Sequence, residues 1–219
     1  MGKITRHFVS AGGVLALAGW LVLGLAGVSV AAQSPEPAAA PAAAGTFTGE
    51  IIIGKADAPV TMIEYASMTC PHCANFHTKV FPALKQKYID TGKLKLAFRE
   101  FPLDGVALRA SMLARCGGEA KVAPFLEILF TQQMDWAASA DPIAALNRIA
   151  KLGGMSQDTF DACLADEALM KQLVQSRQDG VEKYNIQGTP SFIIDGKTHD
   201  GDMDIEDFDK LLAPLVPDA

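Results

Sequence analysis

The sequence predicts an α/β domain in which a small sheet is divided by a block of helices. Three observations carry that prediction. The apolar, β-branched run VTMIEY (60–65) leads into a helical pattern and then into an alternating strand, KLKLAFREF (93–101). Residues 106–184 carry helical patterns throughout. A further strand signal at SFIID (191–195), a turn and a last helix follow.

In chain order, residues 1–7 hold Lys3 and Arg6 without an acid, and Phe8 to Ala32 form an uncharged stretch rich in Leu, Val, Ala and Gly. This reads as an export signal over 1–32, with Ser29, Ala31 and Ala32 offering a cut near 31 or 32. The alternative is an uncleaved anchor, since the run is long enough to supply the ~20 apolar residues of a bilayer span. Gly12, Gly13, Gly24 and Gly27 dilute the apolar run and favour cleavage. A Pro/Ala-rich leader is assigned to 33–48, because QSPEPAAAPAAAG (33–45) has almost nothing to bury. Folding is expected to begin near Phe47, leaving 49–219 as one domain.

Within it, Glu50 to Ile53 reads as a short strand, Asp57-Ala58-Pro59 as a turn, and 60–65 as a buried strand. Phe76, Val80, Leu84 and Tyr88 recur at helical spacing after Pro71, which suits a first helical position because its missing N–H costs nothing there. Pro82 should kink that helix, and Asp90-Thr91-Gly92 should end it. Leu94, Leu96 and Phe98 then share one strand face. The helical block spans about 104–184, with stops at Gly117-Gly118, Gly153-Gly154 and Asp166, and N-caps at Asp141 and Ser156. Met112, Leu113, Phe125, Leu126 and Leu129 are its expected core. Asp195-Gly196 turns a hairpin toward His199–Met203, and IEDFDKLLAPL closes the chain as a helix. The order βαβ, helices, ββα describes a thioredoxin-like fold with a helical insertion domain.

The formal net charge is −6, and −8 once Lys3 and Arg6 are set aside, because residues 1–32 contain no Asp or Glu. Such a chain repels phosphate backbones and carries no basic stripe, so nucleic acid is not an expected partner. No period of 20 to 50 residues repeats, which excludes solenoids and propellers.

The chemistry concentrates in Cys70-Pro71-His72-Cys73. A structural zinc site needs four ligands and usually a second CxxC, which is absent; His77 with Cys116 or Cys163 would have to complete it. Haem attachment needs histidine after the second cysteine, and residue 74 is alanine. Redox exchange fits the pattern better. Cys70 precedes Pro71 at a helix start, where unpaired N–H groups and the helix dipole favour a thiolate. A charged His72 would favour it further, and since the disulfide gains nothing from either effect, the reduced form is stabilised selectively. Cys73, one turn on and shielded, is the expected resolving thiol. No metal or organic cofactor is implied, because the disulfide itself carries two electrons.

The segment IEYASMTCPHCANFH, the later GTPSF, FREFPLD after the second strand and the intervening helices together resemble the DsbA group of bacterial envelope thiol oxidoreductases over about residues 49–216. The resemblance implies that Cys70 attacks, Cys73 resolves, and Thr189-Pro190 supplies a cis-proline lying against the active-site disulfide. It implies that Glu64 is the buried acid behind the cysteines and accepts the Cys73 proton; the other reading of Glu64 is a solvent-exposed edge residue. It also implies a periplasmic location, unfolded exported proteins with reduced cysteines as substrates, and a DsbB-like membrane partner that restores the disulfide. Thr189 departs from the valine of the best-known oxidases and matches the related isomerases. Isomerases of this class add an amino-terminal dimerisation or trimerisation module, which 33–46 is too short to form. Oxidation is therefore the reading retained over isomerase or reductase, and over a non-catalytic, chaperone-like binding module.

In an oxidising compartment Cys116 and Cys163 are expected to form a structural disulfide, the alternative being two buried thiols that pack as small hydrophobes. His77 and His199 read as surface or core filler. Met68 and Phe101-Pro102-Leu103 are candidates for an apolar rim around the cysteines, with core packing an equal reading for Phe101.

Overall fold

A computed structural model describes residues 45–216; the export signal at 1–32 and the leader as far as residue 44 lie outside the described residues. The strand signals assemble into a five-stranded sheet of order β1-β3-β2-β4-β5, formed by β1 (Ile51–Ile53), β2 (Val60–Ala66), β3 (Leu94–Glu100), β4 (Ser191–Ile194) and β5 (Lys197–Asp200). β2 and β3 run parallel, with Val60 opposite Leu94 and Ala66 opposite Glu100, and the other pairs are antiparallel. A parallel pair requires a crossover, and the helix that starts at Pro71 provides it.

That crossover is built from α1 (Pro71–Asn75) and α2 (Phe81–Leu84), continued through wide turns at Phe76–Val80 and Lys85–Ile89. The proline expected to kink the helix is absorbed differently. The Phe81 N–H reaches back five residues to the Phe76 carbonyl, and Pro82 falls in the first turn of α2, where no N–H is missed. Met62, Leu96 and Phe192 of the sheet pack against Phe76, Leu84 and Phe208, the last from α9 (Ile205–Leu212), which Asp204 caps. On the opposite face Tyr65 and Ile193 meet Phe101 and Ile186.

The block between β3 and β4 comprises α3 (Gly105–Cys116), α4 (Glu119–Thr131), α5 (Gln133–Ala137), α6 (Pro142–Leu152), α7 (Gln157–Leu164) and α8 (Glu167–Tyr184). Asp104, Asp141, Ser156 and Asp166 each accept a backbone N–H three residues on, which satisfies one orphan donor at each helix start. Asp166, read from sequence as a stop, is thus the N-cap of α8. Met112, Leu113, Phe125, Leu126 and Leu129 are all buried. Cys116 and Cys163 are bonded, with Cα atoms 5.9 Å apart, and join α3 to α7.

A buried ion pair ties the block to the sheet: Arg115 donates from Nε and Nη2 to the two oxygens of Glu100 at 2.6 and 2.9 Å. Arg115 Nη1 also donates to the carbonyls of Phe47 and Gly49, and Gln172 to that of Thr48. The last residues assigned to the leader are therefore docked on the fold. At the other end, Asp195 (φ 49°) and Gly196 (φ 73°) both take the left-handed conformation that a two-residue hairpin turn demands, and β5 closes at Asp200, earlier than the stretch expected.

Candidate active site

β2 ends at Ala66 and hands the chain to a four-residue loop that sets Cys70 as the N-cap of α1, with extended backbone (φ −79°, ψ 118°) and Pro71 in the first turn. Three side chains hold this loop. Thr69 Oγ1 donates to Asp104 Oδ2 at 2.6 Å, Ser67 Oγ accepts from the Leu103 N–H at 3.3 Å, and Gln133 Nε2 donates to the carbonyls of Met68 (2.8 Å) and Cys70 (2.9 Å). Gln133 is buried in the helical block, so the insertion braces the cysteine loop directly.

The two cysteines are not bonded to each other, and their sulfurs sit in opposite electrostatic settings. The Cys70 thiol is lowered from an ordinary value near 9 to about 5, first by a hydrogen bond from the Cys73 side chain and then by the Thr189 side chain and the backbone of Cys73 and His72, which together outweigh its burial. Cys73 has no exposed surface, and burial, followed by its bond to Cys70 and the charges of Cys70 and Glu64, pushes its thiol far up. One sulfur is an anion at neutral pH and its neighbour keeps its proton.

Thr189-Pro190 is a cis peptide, and the Cys70 thiol lies 3.1 Å from the Thr189 carbonyl. A carbonyl can only accept, so this bond belongs to the protonated thiol. The Thr189 hydroxyl is buried and makes no hydrogen bond among the described residues, and as a donor beside Cys70 it favours the thiolate. Pro190 is held from behind by the Gly201 N–H, which donates to its carbonyl at 3.0 Å.

His72 was expected to favour the Cys70 thiolate when charged. Its imidazole is 64% exposed, with Nδ1 2.6 Å from Asp202 Oδ2, and the lowering of the Cys70 thiol draws on its backbone. Glu64 has no exposed surface, which sets aside the solvent-edge reading. Its oxygens lie 3.0 and 3.1 Å from His77 Nε2, and the His77 ring stacks on Phe130 with centroids 4.1 Å apart. His77, read from sequence as filler, is thus half of a buried polar pair behind Cys73. His199 lies on β5 opposite Phe192.

Of the residues considered for an apolar rim, Met68 and Phe101 are core, whereas Leu103 is 48% exposed. Met134, 69% exposed, lines a cleft beside Pro71 and was not found from sequence. Among the described residues no cluster of three His, Cys, Asp or Glu side chains is placed to hold a metal ion. Gln133 and Asp202 were missed as well, since neither carries a local signal. His77 did carry one: it stands four residues beyond Cys73 on the same helix.

Comparison with known proteins places this geometry. A family model described as Thioredoxin matches residues 46–213. A relative in Rickettsia bellii, named as a protein-disulfide oxidoreductase, is 37% identical over 148 residues, covering 67% of this chain and 57% of that protein. The chain therefore spans a little over half the length of the Rickettsia relatives it matches. Disulfide bond formation protein D of Bacillus subtilis is 31% identical over 160 residues, 69% of this chain and 70% of that protein. Among solved structures, Wolbachia pipientis alpha-DsbA1 superposes with a TM-score of 0.70 at 35% identity, covering 78% of this chain and 92% of that one. Oxidised BdbD of Bacillus subtilis gives 0.68 at 25% identity, covering 78% and 96%.

Proposed function

This chain belongs to the thioredoxin family, within its DsbA-like group of disulfide oxidoreductases, and from that premise we propose that it introduces disulfide bonds into exported proteins by donating a Cys70–Cys73 disulfide. The observation that carries the reading is the opposed pair of sulfurs, one lowered to about 5 and the other buried and pushed far up. A thiolate stabilised only in the reduced form makes the closed disulfide a strong oxidant, because reduction releases that stabilisation.

In the forward half, a client thiolate attacks Cys70 Sγ, the Cys70–Cys73 bond breaks, and Cys73 leaves with the electron pair and takes a proton. A second client thiolate then attacks the client sulfur of the mixed disulfide and Cys70 departs as a thiolate, needing no proton. The client is oxidised by two electrons and this chain is reduced by two. In the return half, Cys70 attacks a partner disulfide, Cys73 gives its proton to Glu64 and attacks Cys70 Sγ, and the partner leaves reduced. Thr189 Oγ1 donates to the Cys70 anion, and Pro190 lies against the sulfur pair. His72, paired with Asp202, stands at the exposed face over which clients dock. The export signal read at 1–32 supports work in the periplasm, and the regenerating partner on this reading is a membrane protein of the DsbB kind.

Reduced and scrambled ribonuclease test the reading. The oxidised chain should restore activity to the reduced substrate, with one client disulfide formed per chain reduced, and Cys70→Ser should abolish this. Recovery confined to scrambled ribonuclease would assign an isomerase, and full activity of Cys70→Ser would assign a binding module.

A further inference from the structure

The exchange just described moves a proton to and from Cys73, yet Cys73 and Glu64 have no exposed surface through which to trade it. When a client or partner sits over Cys70, the front of the site is closed as well. His77 connects this buried pair to another side of the protein. Its Nε2 is within hydrogen-bond distance of both Glu64 oxygens, its ring is fixed by stacking on Phe130 and by an edge contact with Phe76, and its side chain is 7% exposed. His77 also lines a cavity of about 560 Å³ between the crossover helix and α4, whose wall includes Thr78, Phe81, Lys85 and Glu127. Glu127 is exposed at its edge, so water has access. Glu64 does not line that cavity, and His77 does.

We propose that His77 is a positioning residue that relays the Cys73 proton between Glu64 and the cavity on α4, so that thiol exchange vents its proton at the back while a protein occupies the front. The inference rests on the exchange reading above. On reoxidation, Cys73 S–H transfers its proton to the Glu64 carboxylate and the sulfur attacks Cys70 Sγ. Glu64 passes the proton to His77 Nε2 in the tautomer that carries its hydrogen on Nδ1, and Nδ1 releases that hydrogen to water, so the ring gains one proton and loses one. On client oxidation each transfer runs in reverse, and the proton arriving at Cys73 is replaced from cavity water. The titratable groups around His77 are Glu64 from β2, which it contacts, and Lys85 from the turn after α2 and Glu127 from α4, which line the same cavity.

Mixing the reduced full-length chain with excess dithionitrobenzoate separates the two claims in one trace. The first thionitrobenzoate released reports attack by Cys70, and the second reports attack by Cys73. With His77→Phe and His77→Gln the first phase should be unchanged and the second slowed about a hundred-fold, the lower end for a lost proton-transfer group. Imidazole added to His77→Ala should restore the second phase through the cavity. A second phase at full speed in His77→Gln, whose amide N–H keeps a hydrogen bond to Glu64 but cannot take up and release a proton, overturns the relay. So does equal slowing of both phases, or failure of imidazole to rescue. A slow first phase in the unaltered chain would instead overturn the exchange reading, so the two failures are told apart. Should His77→Phe not fold, His77→Gln carries the test.

Discussion

Acidification should erase the stability advantage of the reduced form over the disulfide form. The Cys70 thiol is held at about 5 in the folded reduced chain against an ordinary value near 9. A group whose folded value is depressed contributes stability that is fully present above the unfolded value and is lost as pH falls through the folded one. At pH 7 the folded chain binds about one proton fewer at this sulfur than the unfolded chain. Integrating upward from well below pH 5 over two pH units at about 1.4 kcal/mol each gives about 2.7 kcal/mol. At pH 4.5 about 0.2 kcal/mol remains by the same relation, so the reduced-minus-oxidised gap should shrink by about 2.5 kcal/mol. Carboxylates shared by both redox forms largely cancel from that difference, and Cys73, pushed up rather than down, stays protonated across the window. Paired guanidinium unfolding of the two forms at pH 7 and 4.5 measures it, with thiolate absorbance at 240 nm as an independent titration. A gap that moves by less than about 0.5 kcal/mol, or a thiolate inflection near that of free cysteine, would refute the reasoning.

Gln133→Ala strips two buried carbonyls of their donor, and chemical unfolding should register a loss of about 2–4 kcal/mol; an unchanged midpoint would show that the insertion does not brace the cysteine loop. Arg115→Ala leaves Glu100 buried without a counter-charge and should cost about 3–5 kcal/mol. Arg115→Lys should recover little of it, because an ammonium cannot reproduce the two-pronged bond or also reach Phe47 and Gly49. Replacing Cys116 and Cys163 together by alanine opens a loop with a sequence separation of 47 and should lower stability by up to about 4 kcal/mol. The Cys70 titration should be untouched, and a shift there would mean that the bridge also shapes the site.

What could be read from sequence was what is written locally. Pro71 after a cysteine marks a helix start, Asp141 and Ser156 cap because their side chains answer a donor three residues away, and β2 is apolar because it is covered on both faces. The family resemblance brought Thr189-Pro190 to the cysteines, more than a hundred residues away in the chain. Gln133 and Asp202 stayed invisible because each acts through one side chain across 63 to 130 residues, a distance at which spacing carries no information. His77 was misjudged for a different reason. Its helical spacing from Cys73 was visible, but whether that face met solvent or Glu64 depended on the wide turn at Phe76–Val80, which no propensity announces. Pro82 was noticed without its remedy, because a backbone can accommodate a missing donor by kinking or by widening the turn before it.

The bridge between Cys116 and Cys163 has a consequence for the life of the population. On the proposed function, a newly secreted copy needs a bond of the very kind that mature copies install, so each generation is finished by the one before it. Such a system sustains itself once running and restarts slowly after complete reduction. Cells pulsed with a reductant should regain oxidised chains with a lag that shortens as the surviving oxidised fraction grows.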